Sequence, residues 1–279
     1  MTCSLPMSKD DGRPFRLRSA STAHNGPMAH TYIDFGYPWW LSYGHLALFG
    51  VSLAALLAAR AARASRWVRL SLGTFSLWAG SLALLVHLFG INRVPPLPTQ
   101  AFLSSGRGRV LDLGAGTGRS SIMVLAERPQ ATLVASDLFG DSFTRHFGAA
   151  ERPQDRLLAN LKLAGVADRA TIETADMLKL PFADHSFDAL VSAYAMDHLG
   201  RAGARTALAE AHRVLKPGGD FLLILVANDG WAKLAFGPLL SHGGTYGADW
   251  WRDAVVKAGF EVREEGTEPV TRYFLLTGR

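Results

Sequence analysis

Three glycines at alternate positions, Gly114, Gly116 and Gly118, follow directly on Arg109-Val-Leu-Asp-Leu113, whose apolar residues read as a buried parallel strand. Glycines so spaced permit a tight turn, close approach of backbone to a ligand, and packing of a following helix, expected over Arg119 to Glu127. A second strand, Ala131-Thr-Leu-Val-Ala-Ser-Asp137, ends in an acid 19 residues beyond Gly118, where a carboxylate can hold a ribose diol. The chemistry of this pattern is capture of a nucleoside-bearing cofactor. For proton transfer the first candidate is His198 in Ala195-Met-Asp-His198. Imidazoles titrate near neutral pH and can take a proton from a phenol or an ammonium. Asp197, Tyr194, His146 and His242 are weaker candidates, and no His, Asp and Glu group has metal-ligand spacing, so no metal is expected.

Across residues 109–279 the chain resembles the class I S-adenosylmethionine-dependent methyltransferases. Val110-Leu-Asp-Leu-Gly-Ala-Gly-Thr-Gly118 is similar to the family's first motif, and Ala175-Asp-Met177 with Leu180-Pro-Phe-Ala-Asp-His-Ser-Phe-Asp188 to the segment that meets the adenine. Arg213-Val-Leu-Lys-Pro-Gly-Gly219 is similar to the helix end and turn leading into strand five, Phe221 to Val226. The resemblance implies an α/β fold: a doubly wound, Rossmann-like seven-stranded sheet with a terminal antiparallel strand. It also implies S-adenosyl-L-methionine as the methyl donor. Gly114, Gly116 and Gly118 would then shape the loop under the methionine part, and Asp112 would orient that loop and the amino group. Asp137 would bind the ribose, while Asp176 and Met177 would edge the adenine. A closing hairpin fits the same pattern: an amphipathic helix from Asp249 to Ala258, a strand at Phe260-Glu-Val-Arg263, and a last strand from Thr271 to Leu276. One departure is the 28-residue interval from Asp137 to Gly165, whose extra segment, Phe139 to Pro153, contains Asp141 and His146 and is expected in the substrate lid.

The alternative within the same fold class is an NAD(P)-dependent oxidoreductase, since a glycine loop and a downstream acid also describe its cofactor site. Its short-chain branch pairs a Tyr with a Lys four residues on, but four beyond Tyr194 stands His198. A second alternative is a non-catalytic, membrane-tethered scaffold that binds the cofactor, against which the intact glycines and acids argue.

These elements occupy only the later part of the chain. The 279 residues are 48% hydrophobic with a mean hydropathy of +0.11 and 19% charged residues, and the apolar excess is concentrated near the start. Trp39 to Ala59 and Leu70 to Ile91 carry no charge, and each is long enough, at about 1.5 Å per residue, to span a bilayer core of roughly 30 Å. Trp39, Trp40, Tyr43 and Trp67 suit an interfacial belt, while Gly50, Ala54 and Ala58 on one segment and Gly73, Ser76, Gly80 and Ala83 on the other would let two helices approach. The expected division is a disordered basic tail over 1–36, a membrane hairpin over 37–92, a proline-rich linker over 93–108 with Pro95, Pro96 and Pro98, and the catalytic domain over 109–279. Met28 is a candidate internal start. The net charge of +5 belongs to the early segments, because residues 93–279 hold 21 basic and 21 acidic residues. A neutral catalytic domain disfavours a nucleic-acid partner, and the lone cysteine, Cys3, excludes a disulfide framework.

Arg60, Arg63, Arg66 and Arg69 between the two apolar segments would, by the preference of basic loops for the cytoplasm, put both chain ends outside. A donor-dependent domain needs the cytoplasmic side, so we expect a shallow or spanning hairpin with the domain cytosolic, helped by Arg13, Arg16, Arg18 and Arg93. Acceptor choice is expected in Phe139 to Pro153 and in Ala227 to Trp251, which holds Trp231, Phe236, Leu239, Leu240, Tyr246, Trp250 and Trp251. The expected partners are a lipophilic small-molecule acceptor, such as a prenylated quinone precursor or a phospholipid headgroup, the bilayer, and a second copy through the hairpin.

Overall fold

The computed structural model describes residues 32–37, 39–88, 93–140, 152–227, 246–268 and 271–279. The tail before residue 32, with Cys3 and Met28, lies outside the described residues. So do the lid candidates Asp141 and His146, and Trp231, Phe236, Leu239, Leu240 and His242 of the acceptor segment.

Two long helices come first, α1 (Trp39–Ala61) and α2 (Arg66–Leu88). The Ser65 hydroxyl accepts the Val68 N–H at 3.4 Å and caps the start of α2. Both helices are long and apolar enough to cross a membrane, and 17% of each apolar window is buried. Their contact partly departs from the small-residue reading. On α2 the expected face is used: Ser76 donates to Ser52 at 2.9 Å, and a Cβ at Gly80 would stand 2.9 Å from the Phe49 ring. On α1 the contact is made by Phe49, Ser52 and Leu56, whereas Gly50, Ala54 and Ala58 are exposed. Ala and Gly at spacings of four mark a face without saying whether a larger neighbour such as Phe49 fills the groove instead.

The rest of the chain builds β1 (Arg107–Leu113), α3 (Arg119–Glu127), β2 (Gln130–Asp137), α4 (Pro153–Leu163), β3 (Ala170–Thr174), β4 (Phe187–Ala193), α5 (Gly200–Val214), β5 (Leu215–Val226), α6 (Ala248–Lys257), β6 (Phe260–Glu268) and β7 (Thr271–Gly278). The seven described strands form one sheet in the order β3-β2-β1-β4-β5-β7-β6. Pairing is parallel from β3 through β5, while β7 runs antiparallel to both β5 and β6. This is the expected doubly wound sheet with its antiparallel end. Chain order reverses between β1 and β4, so a crevice opens outside the carboxyl ends of those two strands, where ligands of open α/β sheets bind.

Alternation along β1 sorts the core. Leu111 and Leu113 pack with α5 and α6, whereas Val110 packs with α3 and α4 on the other face. Helix α5 buries Ala204, Ala207, Leu208 and Ala211, spaced by three and four as an amphipathic helix requires. Trp251, expected over the acceptor, is 1% exposed and belongs to this core, because Trp251, Ala254 and Val255 are the inward stripe of α6. β5 begins six residues before the expected Phe221, and Lys216-Pro-Gly-Gly219 is a bulge inside it: Phe187 pairs with Leu215, but Ala189 pairs with Asp220.

Two boundaries also move. The proline-rich stretch, read as a linker, is packed: Leu97 and Phe102 are buried in the α3 core, and the Arg128 guanidinium donates to the carbonyls of Phe102 (2.9 Å) and Gln100 (3.0 Å). Prolines stiffen a chain whether or not it docks, and the apolar residues between them decide. For the same reason Phe35, assigned to a disordered tail, is 1% exposed within that core.

Candidate functional site

At the carboxyl end of β1 the chain turns through Gly114 (φ 78°), Gly116 (φ 53°) and Gly118 (φ 93°), a left-handed backbone that side chains resist. Space is as restrictive as conformation. A Cβ at Gly114 would overlap Ala195 Cβ and come within 3.0 Å of Met177 Cε, and one at Gly118 would stand 2.5 Å from Leu157 Cδ1. The turn is anchored to β2 by the N–H groups of Gly114 and Ala115, which donate to the Ser136 carbonyl at 2.9 and 3.0 Å.

Asp137, ending β2, fixes the same turn from its side chain. Its carboxylate accepts the Gly116 N–H at 2.9 Å and the Phe139 N–H at 2.8 Å, and its carbonyl accepts the Ala175 N–H at 3.0 Å. The last contact draws the end of β3 toward the turn and thereby positions Asp176 and Met177. Met177 is half-buried and reaches Gly114, whereas Asp176 is exposed and its carboxylate accepts the Leu178 N–H at 2.8 Å. The following loop is pinned from α5: Arg213 donates to the carbonyls of Leu180 and Phe182 and pairs with Asp184 and Glu210. Arg213 is legible in the sequence only as part of a motif, yet it holds the loop after Met177 in place.

Asp112 is 0% exposed. On β1 it faces α3, where the hydroxyls of Ser120 and Ser121 donate to its Oδ2 at 2.7 and 2.6 Å, while Oδ1 has no partner. Burial pushes its carboxyl up to about 6; the two hydroxyls pull it down, and the charge of Asp137 adds to the rise. Because the folded value stands above the unfolded 3.8, the native state holds the extra proton between about pH 4 and 6. The group's stabilisation is therefore full below about pH 4 and lost as pH rises through about 6, a change of about 3 kcal/mol. In Asp112→Asn this component is absent. The stability of wild type minus variant, from thermal melts, is expected to fall between pH 4 and 7 by that amount, and a flat difference would refute the assignment.

The carboxyl end of β4 closes the crevice. Tyr194 has φ 54°, a strained value for a side chain, and its hydroxyl lies 2.7 Å from Thr271 Oγ1. Burial holds the Tyr194 phenol above its usual range. Asp197 is buried on the turn Met196–His198, accepts the Val226 N–H at 3.2 Å, and is driven upward by desolvation against the pull of His198. His198 itself is exposed on this turn, three residues past the Ala195 that faces Gly114. The geometry thus brings the three glycines, Asp137 and Met177 together at the carboxyl ends of β1 and β2, with Asp112 buried against α3, Asp176 exposed beyond Met177 and His198 just past the carboxyl end of β4. Among the described residues no group of three or more His, Cys, Asp or Glu could hold a metal.

The site fits a nucleoside ligand with a charged amine. The left-handed glycine turn packs close on Ala195, Met177 and Leu157, the Asp137 carboxylate lies beside it, and Asp112, buried on β1, keeps one oxygen without a partner. Residues 110–219 match the family model described as "Methyltransferase domain". A demethylmenaquinone methyltransferase of Deinococcus radiodurans is 34% identical over 42% of this chain and 42% of its own. An O-methyltransferase of Aspergillus nomiae is 35% identical over 42% of this chain and 46% of its own. The chain thus spans less than half the length of these curated relatives. The fold is shared with an O-methyltransferase family protein of Burkholderia thailandensis, with a TM-score of 0.52 and 16% identity over 85% of this chain and 71% of that one. By its motifs, its sheet and these relatives, the chain carries a methyltransferase domain at residues 110–219 and is similar to the class I S-adenosylmethionine-dependent methyltransferases.

Proposed function

We propose that the chain transfers the methyl group of S-adenosylmethionine to a small lipophilic acceptor drawn from a bilayer, with the catalytic domain on the cytoplasmic side. The observation that carries this reading is the joint arrangement at Gly116: the amide of the glycine turn is held by Asp137, beside a buried Asp112 with one unpartnered oxygen. The donor is a sulfonium that carries its own activation. The protein's work is to orient the acceptor and exclude water, which can supply roughly 7 to 11 kcal/mol of the barrier. Asp112 would hold the donor's ammonium, Asp137 its ribose, and Asp176 and Met177 its adenine edge. His198 would take the proton from the acceptor.

The lipophilic acceptor is supported by two mostly exposed apolar helices in the same chain and by the quinone-type acceptor in the name of the Deinococcus relative. Purified full-length protein in lipid nanodiscs, given methyl-labelled donor and a bacterial lipid extract, is expected to move label into the organic phase. His198→Ala is expected to slow this transfer by about 10²-fold without weakening donor binding. Label confined to water-soluble products would exclude the lipophilic acceptor, and an unchanged rate in His198→Ala would remove the base.

A further inference from the structure

The glycine turn is fastened to the segments that flank the apolar hairpin in sequence, the upstream leg before α1 and the downstream leg after α2. On the upstream leg, a strap before α1 crosses the turn at Thr117, whose hydroxyl donates to the Phe35 carbonyl at 3.1 Å. Asn160 of α4, 1% exposed, locks the crossing: its Oδ1 accepts the Asp34 N–H at 3.0 Å, and its amide donates to the carbonyls of Asp34 (2.8 Å) and Thr117 (2.9 Å). Phe35 seats the strap in the core beside Ala115 and Leu157, four residues before α1 begins at Trp39. On the downstream leg, Arg119 Nε donates to the Arg93 carbonyl at 3.0 Å. Both attachments fall within Thr117 to Arg119, the segment where the glycine turn becomes a helix.

We propose that Asn160 and Thr117 are positioning residues for the methyl donor: they set the glycine turn by clamping it to the strap that leads into the hairpin. The inference rests on the donor-binding reading above. The physical ground is that Asn160 and Thr117 are both buried, and a buried amide or carbonyl left without its partner costs far more than an exposed one. Four polar bonds within the crossing therefore admit one arrangement of strap and turn, and the backbone of residues 114–118 inherits it. A strap released at Thr117 leaves the turn free to sample backbones in which the Gly116 N–H no longer meets Asp137.

Full-length protein in nanodiscs tests this with S-adenosylmethionine as probe. Thr117→Val keeps shape and loses the donated bond; Asn160→Asp keeps the acceptor and loses two donated bonds; Thr117→Ser keeps the hydroxyl. Calorimetric donor affinity is expected to weaken about tenfold in Thr117→Val and more in Asn160→Asp, with Thr117→Ser within about twofold of wild type. Hydrogen exchange of the Gly114 to Gly118 amides in the ligand-free protein is expected to accelerate in the first two and not in the third. Lower melting temperatures with unchanged donor affinity and unchanged exchange at the turn would make the clamp merely structural and overturn the proposal. Accelerated exchange with no donor binding even in wild type would uphold the clamp and sink the donor reading instead.

Discussion

Gly114→Ala is expected to abolish detectable binding of S-adenosylmethionine while leaving the sheet folded. The backbone there has φ 78°, where an L side chain costs about 1 kcal/mol or more, and the new methyl would lie on Ala195 Cβ and against Met177 Cε. Ala195 is backbone-fixed between Tyr194 and the turn Met196–His198, so it has little freedom to withdraw. Relief must come from the glycine turn itself, which moves out of the crevice and takes the Gly116 N–H with it. The thermal melt should fall by several degrees, with a single cooperative transition by circular dichroism, while calorimetry with the donor reads no heat. Donor binding within tenfold of wild type would mean that the turn is not the cradle.

Asp137→Ala is the second large effect. One carboxylate there accepts from Gly116 and Phe139, and its loss leaves both amides unpaired besides removing the proposed ribose acceptor. Hydrogen bonds to charged groups are worth about 1.5 to 3 kcal/mol each, so donor affinity is expected to drop at least 100-fold. Asp176→Ala should cost far less: its side chain is exposed and holds only the N–H of Leu178 in its own turn. The contrast between the two acids, measured by the same titration, separates an acid that builds the crevice from one that only borders it.

The sheet and the glycine turn were legible because they are written in local patterns. An apolar run, three glycines and an acid at a fixed remove place β1, the turn and Asp137 without tertiary knowledge, and α3 spans Arg119–Glu127 as expected. Other features depend on residues far apart in sequence. Nothing near Asn160 signals that its amide joins Asp34 to Thr117, 126 and 43 residues away. The one local hint is an amide between Leu157 and Leu161 on the buried side of a helix, where a polar group needs partners from elsewhere. The two serines on Asp112 could have been anticipated, since Ser120 and Ser121 open the helix after the turn and an anion beneath a helix start is favoured. Proline content misled at residues 93–108, where Leu97 and Phe102 decide the packing, and small-residue spacing misled on α1, where Phe49 makes the contact.

Whether this crevice holds a methyl donor is decided by calorimetric titration of the full-length protein in nanodiscs with S-adenosylmethionine and, separately, with NADH, in wild type and Asp137→Ala. Wild type is expected to show saturable one-site binding of the methyl donor, at least about 100-fold weaker in the variant, and no heat from NADH. Preference for NADH, or donor binding that survives the loss of Asp137, would contradict the methyl-donor reading.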